Sequence, residues 1–436
     1  MLFYAKKYIR IFSLLCSFVG THCLFAQAHS LEHNTILTGA YPAVDTGKII
    51  SMPAEVSNYN RRISGIVLHF TQLLEKDSLE TLRRGGVSAH YLIPKSPKRG
   101  VAGWQLVNIH DRAWQAGVST WQNRTNLNDT TIGIEVVNYG FGFKQADGHV
   151  LYYHEVRQKL RDQLLATLKQ DASFFKLLTQ YHLLDTFFRD MLRGIIPDGT
   201  RTVYLAHIPQ AKRDYYREVA DRIKQTLPNP FAEERTIRQI YELDRTGKIV
   251  WDRFTPHQIQ TLGSLLRGLL EALSLKKGHE TFYQINPTTI VGHSDIAAGR
   301  PLSSMRIDPG PYFPWKTLAL DYGIGAWPQA EDIDAIQQQL THEFAQIRLR
   351  CHDSKTLPID ITWLQESLKC YGYNVSTTGV LDPQTQAVLA LFQMHFRPAN
   401  YSGEPDLESV TILAALLKRY FPKDYTFPRL ASVCKA

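Results

Sequence analysis

Three short apolar runs constrain the fold more than any other feature of the chain. They are Gly65-Ile66-Val67-Leu68-His69-Phe70-Thr71, Val87-Ser88-Ala89-His90-Tyr91-Leu92-Ile93 and Thr131-Ile132-Gly133-Ile134-Glu135-Val136-Val137. Short runs of this kind, rich in β-branched residues, suit buried strands. Helical patterns lie between and after them. The sequence therefore predicts an α/β domain with a mixed central sheet flanked by helices. At about 150 residues per domain, the length of 436 residues allows two or three domains. With 44% hydrophobic and 21% charged residues, the chain is neither wholly disordered nor a polytopic membrane protein.

The N-terminal segment reads as a targeting signal. Lys6, Lys7 and Arg10 precede an apolar run from Ile11 that includes Leu14, Leu15, Phe18, Val19, Leu24 and Phe25. Ala26-Gln27-Ala28 offers a small-x-small cleavage site. This is the anatomy of a secretory signal peptide over residues 1–28, followed by a leader over 29–59. Thr21 and His22 break the run, which falls short of the ~20 apolar residues of a spanning helix. The mature chain is therefore expected to carry no transmembrane segment. Cys23 follows Gly20-Thr21-His22, a poor context for lipid attachment.

The signal holds three basic residues and no acidic one, so its removal lowers the formal charge from +8 to +5. Positive charge alone would suggest an anionic partner. The modest mature value, with no basic stripe interleaved with aromatics, argues against nucleic acid. Cys16 and Cys23 leave with the signal, and Cys351, Cys370 and Cys434 remain. An exported compartment permits disulfides. A Cys351–Cys434 bridge and three free thiols both stay open.

Residues 141–250 read as a mostly helical insertion. Leu160, Leu164 and Leu168, then Tyr215, Val219, Ile223 and Leu227, recur at spacing four. Pro197, Gly199, Pro228 and Pro230 punctuate it. A further helical stretch runs from Pro256 to about Leu275. Ile333, Ile336, Leu340, Phe344 and Ile347 mark another helix in residues 331–357, ahead of a linker at His352-Asp353-Ser354-Lys355. The last unit, 358–436, places Trp363, Leu364 and Leu368 on one helix. Asp382-Pro383 then caps a second, with Val388, Leu389 and Phe392 on it. It reads as a small independent module.

The chemistry lies in a scattered set of histidines and carboxylates. His69 sits between apolar neighbours, where a lone histidine is usually a satisfied core residue. His293 lies in Gly292-His293-Ser294-Asp295, and Asp308 opens Asp308-Pro309-Gly310-Pro311, a turn that presents its carboxylate rigidly. Two imidazoles and one carboxylate leave a fourth position open on zinc, as catalytic rather than structural sites do. Glu135, beside Gly133, shares neither the face of Ile132 and Ile134 nor their chemistry. It belongs to a solvated face, or it lines a cleft and takes a proton from attacking water. Arg306 is a fixed positive charge that could stabilise an oxyanion or pair with a surface acid.

The segments IVLHFTQ, VSAHYLI, RAWQAGVSTWQNRTNLNDTTIGIEVVN and VGHSDIAAGR…RIDPGPYFPW, in this order, resemble the type 2 N-acetylmuramoyl-L-alanine amidases. These are zinc hydrolases that share a fold with the peptidoglycan recognition proteins, and the likeness is to an exported branch. It covers about residues 60–140 and 251–328. The segment WLQESLKCYGYNVSTTGVLDPQTQAVLALFQMHF is similar to the three-helix peptidoglycan-binding module. The resemblance implies an amidase domain over 60–330, interrupted by the 141–250 insertion, and a C-terminal three-helix domain. It implies zinc on His69, His293 and Asp308, and Glu135 as the acid/base. Arg306 stands where the family usually has lysine, Ala298 where many members have proline, and the loop Pro301–Met305 is longer than usual. His90 and Trp114 lie in matching motifs and would shape the substrate cleft.

The implied reaction is zinc-dependent hydrolysis of the amide between N-acetylmuramic acid and the first L-alanine of the stem peptide. The alternative is a non-catalytic peptidoglycan-binding protein, as in some relatives of the fold, although no ligand position is lost here. The expected partners are peptidoglycan and its muropeptide fragments. The expected setting is the periplasm or cell envelope, and the expected state a monomer. Removal of the residues after about 350 is expected to spare cleavage of soluble fragments and to weaken binding to whole sacculi.

Overall fold

The fold was obtained as a computed structural model that describes residues 62–97, 100–180, 184, 187–188, 209–226, 230–231, 235–277, 280–282, 285–350 and 358–431. The signal peptide, the leader, the linker at 352–355, Cys351 and Cys434 lie outside the described residues, and Cys370 is a free thiol.

The chain opens with β1 (Gly65–Phe70), α1 (Glu75–Arg84), β2 (Tyr91–Ile93) and β3 (Trp104–Gln105). The short hairpin β4 (Thr120–Trp121) and β5 (Arg124–Thr125) precedes β6 (Thr131–Val136). Then come β7 (Phe141–Lys144), β8 (Val150–Tyr152), α2 (Tyr153–Gln170), α3 (Ala172–Gln180), α4 (Gln210–Thr226), α5 (Ile237–Arg245) and β9 (Ile249–Trp251). Next are α6 (Pro256–Ala272), β10 (Leu275–Lys277), β11 (Glu280–Phe282) and β12 (Ile290–Gly292). The chain continues through α7 (His293–Ile296), α8 (Trp315–Tyr322), α9 (Ala330–Arg350), α10 (Ile361–Tyr371), α11 (Pro383–Phe396) and α12 (Leu407–Tyr420).

The central sheet has the order β12-β1-β6-β2-β3. Pairing is parallel except between β2 and β3, so the sheet is mixed. Every residue of β1 is buried, as suits a middle strand flanked on both edges and covered on both faces. The three apolar runs supply β1, β2 and β6, the last at Thr131–Val136.

Residues 141–250 begin and end in strand. β8, β7 and β9 form an antiparallel sheet at the base of the insertion. Above it, Leu164, Leu168, Phe174, Leu178, Tyr216, Val219 and Ala220 form one core. The buried face of α4 is Tyr216, Val219 and Ala220, with Ile223 against it, while Tyr215 is 49% exposed. The stripe thus runs at 3.6 residues per turn, where strict spacing of four drifts off the face.

Residues 264–277 and 280–282 are the described part of a second compact unit. They hold the end of α6 and the antiparallel pair β10–β11. Among the described residues no helix is long and apolar enough to cross a membrane.

α10, α11 and α12 form the three-helix C-terminal unit. Asp360, Asp382 and Asp406 cap them, each accepting backbone N–H bonds from the first turn. Pro383 takes the first helical position, where its missing N–H costs nothing. The packing of this unit departs from the expected independent module. Its core of Leu364, Val388, Phe392 and Leu413 is continuous with Val67, Trp121, Val291, Ile296 and Ala298 around the central sheet, and with Ile336 and Leu340 of α9. The cause is apolar surface on both sides of the seam, which a unit of this size cannot cover alone.

Candidate metal centre

Three strand ends build the site. His69 is the penultimate residue of β1, and its register partner on the adjacent β6 is Glu135. β12, on the other edge of β1, ends at Gly292, and His293 follows as the first residue of α7. The loop after Ser304 brings Asp308 back against this helix, where the Ser294 N–H donates to the Asp308 carbonyl at 2.8 Å. Gly292 is required by this approach, since a Cβ there would lie 2.6 Å from Pro309 Cδ. His69 and His293 place their Nδ1 atoms 3.0 and 3.1 Å from one oxygen, Asp308 Oδ2. The imidazole rings meet edge to face with centroids 4.7 Å apart.

A chain of hydrogen bonds fixes the His69 tautomer. The Thr131 hydroxyl donates to the Leu127 carbonyl at 2.6 Å, so it accepts from Gln115 Nε2 at 2.9 Å. Gln115 therefore presents Oε1 to His69 Nε2 at 2.7 Å, and that nitrogen carries the proton. The other ring nitrogen, Nδ1, faces Asp308 Oδ2. Gly133 makes room for this arrangement: a Cβ there would lie 2.5 Å from Gln115 Cγ. Gln115, which carries no titratable group, lines the cleft and bonds to His69, and the reading of the RAWQ motif passes it over in favour of Trp114.

The charges of the three side chains act on one another. Burial opposes ionisation of Asp308, but the charges and hydrogen bonds of His293 and His69 outweigh it and hold the carboxyl well below its ordinary range. Burial pushes His293 down to about 4. Burial also works against His69, yet the bond to Asp308 and the charges of Glu135 and Asp308 carry it above its ordinary value. One atom from each of His69, His293 and Asp308 converges within 4.8 Å, all three side chains being largely withdrawn from solvent. Two nitrogen donors and one carboxylate oxygen are the donor set of a three-ligand zinc site.

Glu135 stands beside this set. Its Oε2 is buried and has no hydrogen-bond partner. Burial pushes its carboxyl up to about 7, with the His69 charge opposing, Asp308 adding and Arg306 opposing. The cleft in front, about 210 Å³, is lined by His69, Trp114, Gln115, Glu135, His293, Arg306 and Asp308. Tyr153, the first residue of α2, also lines it, so the insertion contributes to the cleft wall. Trp114 is 53% exposed, with the Arg112 guanidinium 4.4 Å from its ring centroid. His90 is elsewhere, fully buried in the core. Its Nδ1 accepts from the Gly133 N–H at 3.0 Å, and its Nε2 donates to the Asp111 carbonyl at 3.2 Å. It holds β6 in place and does not line the cleft. Arg300, from the end of VGHSDIAAGR, donates to the carbonyls of Val118 and Ala116 at 2.6 and 2.7 Å and lies 3.3 Å from His293 Nε2.

A mixed sheet that delivers a His-His-carboxylate group and a separate unpartnered carboxylate to one open cleft defines a hydrolytic enzyme. Residues 59–186 match the N-acetylmuramoyl-L-alanine amidase family and residues 359–413 a peptidoglycan binding domain. The family match includes His69, Trp114 and Glu135 and ends before His293 and Asp308. The chain is 28% identical over 363 residues to the N-acetylmuramoyl-L-alanine amidase AmiD of Escherichia coli K12, covering 82% of this chain and 84% of AmiD. The structure is similar to that of E. coli AmiD in complex with anhydro-N-acetylmuramic acid-L-Ala-D-gamma-Glu-L-Lys, with a TM-score of 0.52 and 26% identity. That likeness covers 86% of this chain and 97% of that one. AmpDH3 from Pseudomonas aeruginosa, in complex with anhydromuramic pentapeptide, matches with a TM-score of 0.51 and 26% identity over 86% and 99% of the two chains.

Proposed function

We propose that the chain is an exported, zinc-dependent amidase. It hydrolyses the amide between N-acetylmuramic acid and the first L-alanine of the peptidoglycan stem peptide. The observation that carries this reading is the convergence of both Nδ1 atoms on Asp308 Oδ2, in the cleft where Glu135 Oε2 is buried without a partner. His69, His293 and Asp308 would hold the metal. Zinc there supplies a Lewis acid that polarises the scissile carbonyl and makes water a better nucleophile at neutral pH.

The remaining chemistry belongs to the side chains. Glu135 Oε2 accepts the proton of the attacking water and returns it to the departing amine of L-alanine. A carboxyl raised to about 7 is suited to both transfers near neutral pH. Arg306, on the cleft wall, sets a fixed positive charge toward the carbonyl oxygen as it becomes negative. It does so with a planar fork in place of the compact ammonium that the family usually carries. Gln115 keeps His69 in the tautomer whose Nδ1 is free to bind metal. Trp114 offers an exposed aromatic face to the sugar or the stem peptide. His90 acts from within the core by anchoring β6.

The three-helix unit binds peptidoglycan, and the enzyme works as a monomer in the periplasm or cell envelope. The basic, apolar and small-x-small order of residues 6–28 supports export. The muropeptide complexes of AmiD and AmpDH3 support soluble fragments as substrates.

Mass spectrometry of purified sacculi incubated with the mature protein, with and without a chelator, tests the reading. Free stem peptides beginning with L-alanine, lost on chelation, are expected. Intact sacculi that nevertheless retain the protein would overturn the catalytic reading in favour of binding alone.

A further inference from the structure

The helix that carries His293 also carries Asp295, and the mechanism above makes no use of it. Asp295 is fully buried. Its Oδ2 accepts the Gly292 N–H at 2.7 Å, which fastens the first turn of α7 to the end of β12. Its other bonds come from the three-helix unit. Tyr373 donates its hydroxyl to Oδ1 at 2.6 Å, and His395 Nδ1 lies 2.8 Å from Oδ2. The His395 ring is in turn clamped flat against Trp315, with centroids 3.9 Å apart. Gln384 reaches the other end of the same segment, donating to the carbonyls of Ala298 and Arg300 at 2.9 and 3.2 Å.

We propose that Tyr373 and His395 are positioning residues for the metal centre, holding through Asp295 the short helix that presents His293. The C-terminal unit is then part of the catalytic machinery as well as a wall anchor. The argument is one of leverage. α7 is only four residues long and cannot hold its own orientation through internal hydrogen bonds. A carboxylate buried at its third position needs partners to stay buried, and two of its three come from α11 and the loop that follows α10. A metal ligand whose backbone is held in this way keeps its geometry only while the outer partners are present. The inference rests on the reading of His69, His293 and Asp308 as metal ligands.

The test is a matched pair of tyrosine variants in the full chain. Tyr401, in the same unit, donates to Asp244 Oδ2 at the same 2.6 Å, but Asp244 lies on α5, away from the helix that carries His293. Zinc affinity is read by competition with a chromophoric chelator on metal-stripped protein, and kcat and KM on a soluble muropeptide. Tyr373→Phe is expected to weaken zinc binding about tenfold or more and to lower kcat with KM unchanged. Tyr401→Phe is expected to lower the melting temperature by a similar amount and to leave both readouts alone. His395→Asn, which keeps a donor at the δ position, is expected to retain the affinity that His395→Leu loses. That second pair decides the matter if Tyr373→Phe does not fold. Equal zinc affinity and equal kcat in Tyr373→Phe and Tyr401→Phe, or in the two His395 variants, would overturn the proposal. A wild-type chain that binds no zinc would instead overturn the metal reading beneath it.

Discussion

His69 on β1 and Glu135 on β6 are register partners on adjacent parallel strands, so the first metal-ligating candidate and a carboxylate whose Oε2 is buried without a partner share a sheet face. This pairing makes the site rigid where it matters. The spacing between the two side chains is set by backbone hydrogen bonds of the sheet and not by a loop. Asp308, in contrast, reaches the site from a loop and is fixed there by the Ser294 N–H on its carbonyl. His69 and Glu135 are thus both built into paired strands of the central sheet.

Glu135→Gln keeps size and shape but removes the proton acceptor. Turnover of a soluble muropeptide is expected to fall by about 10²–10⁴-fold, the usual contribution of a positioned general base. The bound zinc, read by elemental analysis, is expected to stay at the wild-type level. A variant within a few-fold of wild-type kcat would remove Glu135 from its role.

The same residue gives a stability signature. A carboxyl whose folded pKa is raised from 4.5 to about 7 is neutral in both states below pH 4.5 and costs nothing there. Between these values the unfolded chain ionises while the folded chain keeps its proton, so stability falls as pH rises and levels off above 7. In metal-stripped protein, Glu135→Gln is therefore expected to gain stability relative to wild type between pH 4.5 and pH 8. The full gain is on the order of 3 kcal/mol. Urea unfolding of both proteins at the two pH values measures it, and a difference that does not change with pH counts against the buried, partnerless carboxyl.

Gln115 and Gly133 act as one device. Gln115→Ala removes the acceptor that holds the His69 tautomer, and about 10–100-fold of zinc affinity is expected to go with it. Gly133→Ala places a methyl where Gln115 Cγ lies, 2.5 Å away, and is expected to lose a similar factor by displacing the same amide. The double variant is expected to lose little more than either single one, since both break the same contact. Additive losses in the chelator titration would show that the glycine serves another purpose.

The strands of the sheet are legible because their signals are local, and the resemblance to a known family singles out the three side chains that converge in the structure. β1 and β6 announce themselves as short apolar runs, and His293 and Asp308 sit in compact turn-forming motifs. What escaped has no local signature. The partners of Asp295, Tyr373 and His395, lie 78 and 100 residues further along the chain. Gln115 reads as one polar residue in a loop, because the strand glycine that admits it lies 18 positions away. The strands at the base of the insertion were missed since Phe141–Lys144 and Val150–Tyr152 are too short to show alternation. The core that the C-terminal unit shares with the central sheet has no local signature for a related reason. An apolar helix face shows that it is buried, but not whether its own domain or a neighbouring one covers it.

Deleting the residues from 358 onward tests that last point directly. The cut would uncover Trp121, 3% exposed in the full chain, together with Ile336 and Leu340 of α9, all of which share a core with α10–α12. It would also remove Tyr373, His395 and Gln384 from the segment that follows β12. A tethered module leaves a soluble truncated amidase with full activity on small muropeptides and a defect only on sacculi. The shared core predicts otherwise. The truncated protein is expected to aggregate or to melt well below the full chain, and any soluble fraction to hydrolyse small muropeptides at least tenfold more slowly, as for a disturbed metal ligand. Thermal denaturation and a soluble-substrate assay on the same preparation separate the two cases. Full activity in a stable truncated protein would return the C-terminal unit to the role of a simple anchor.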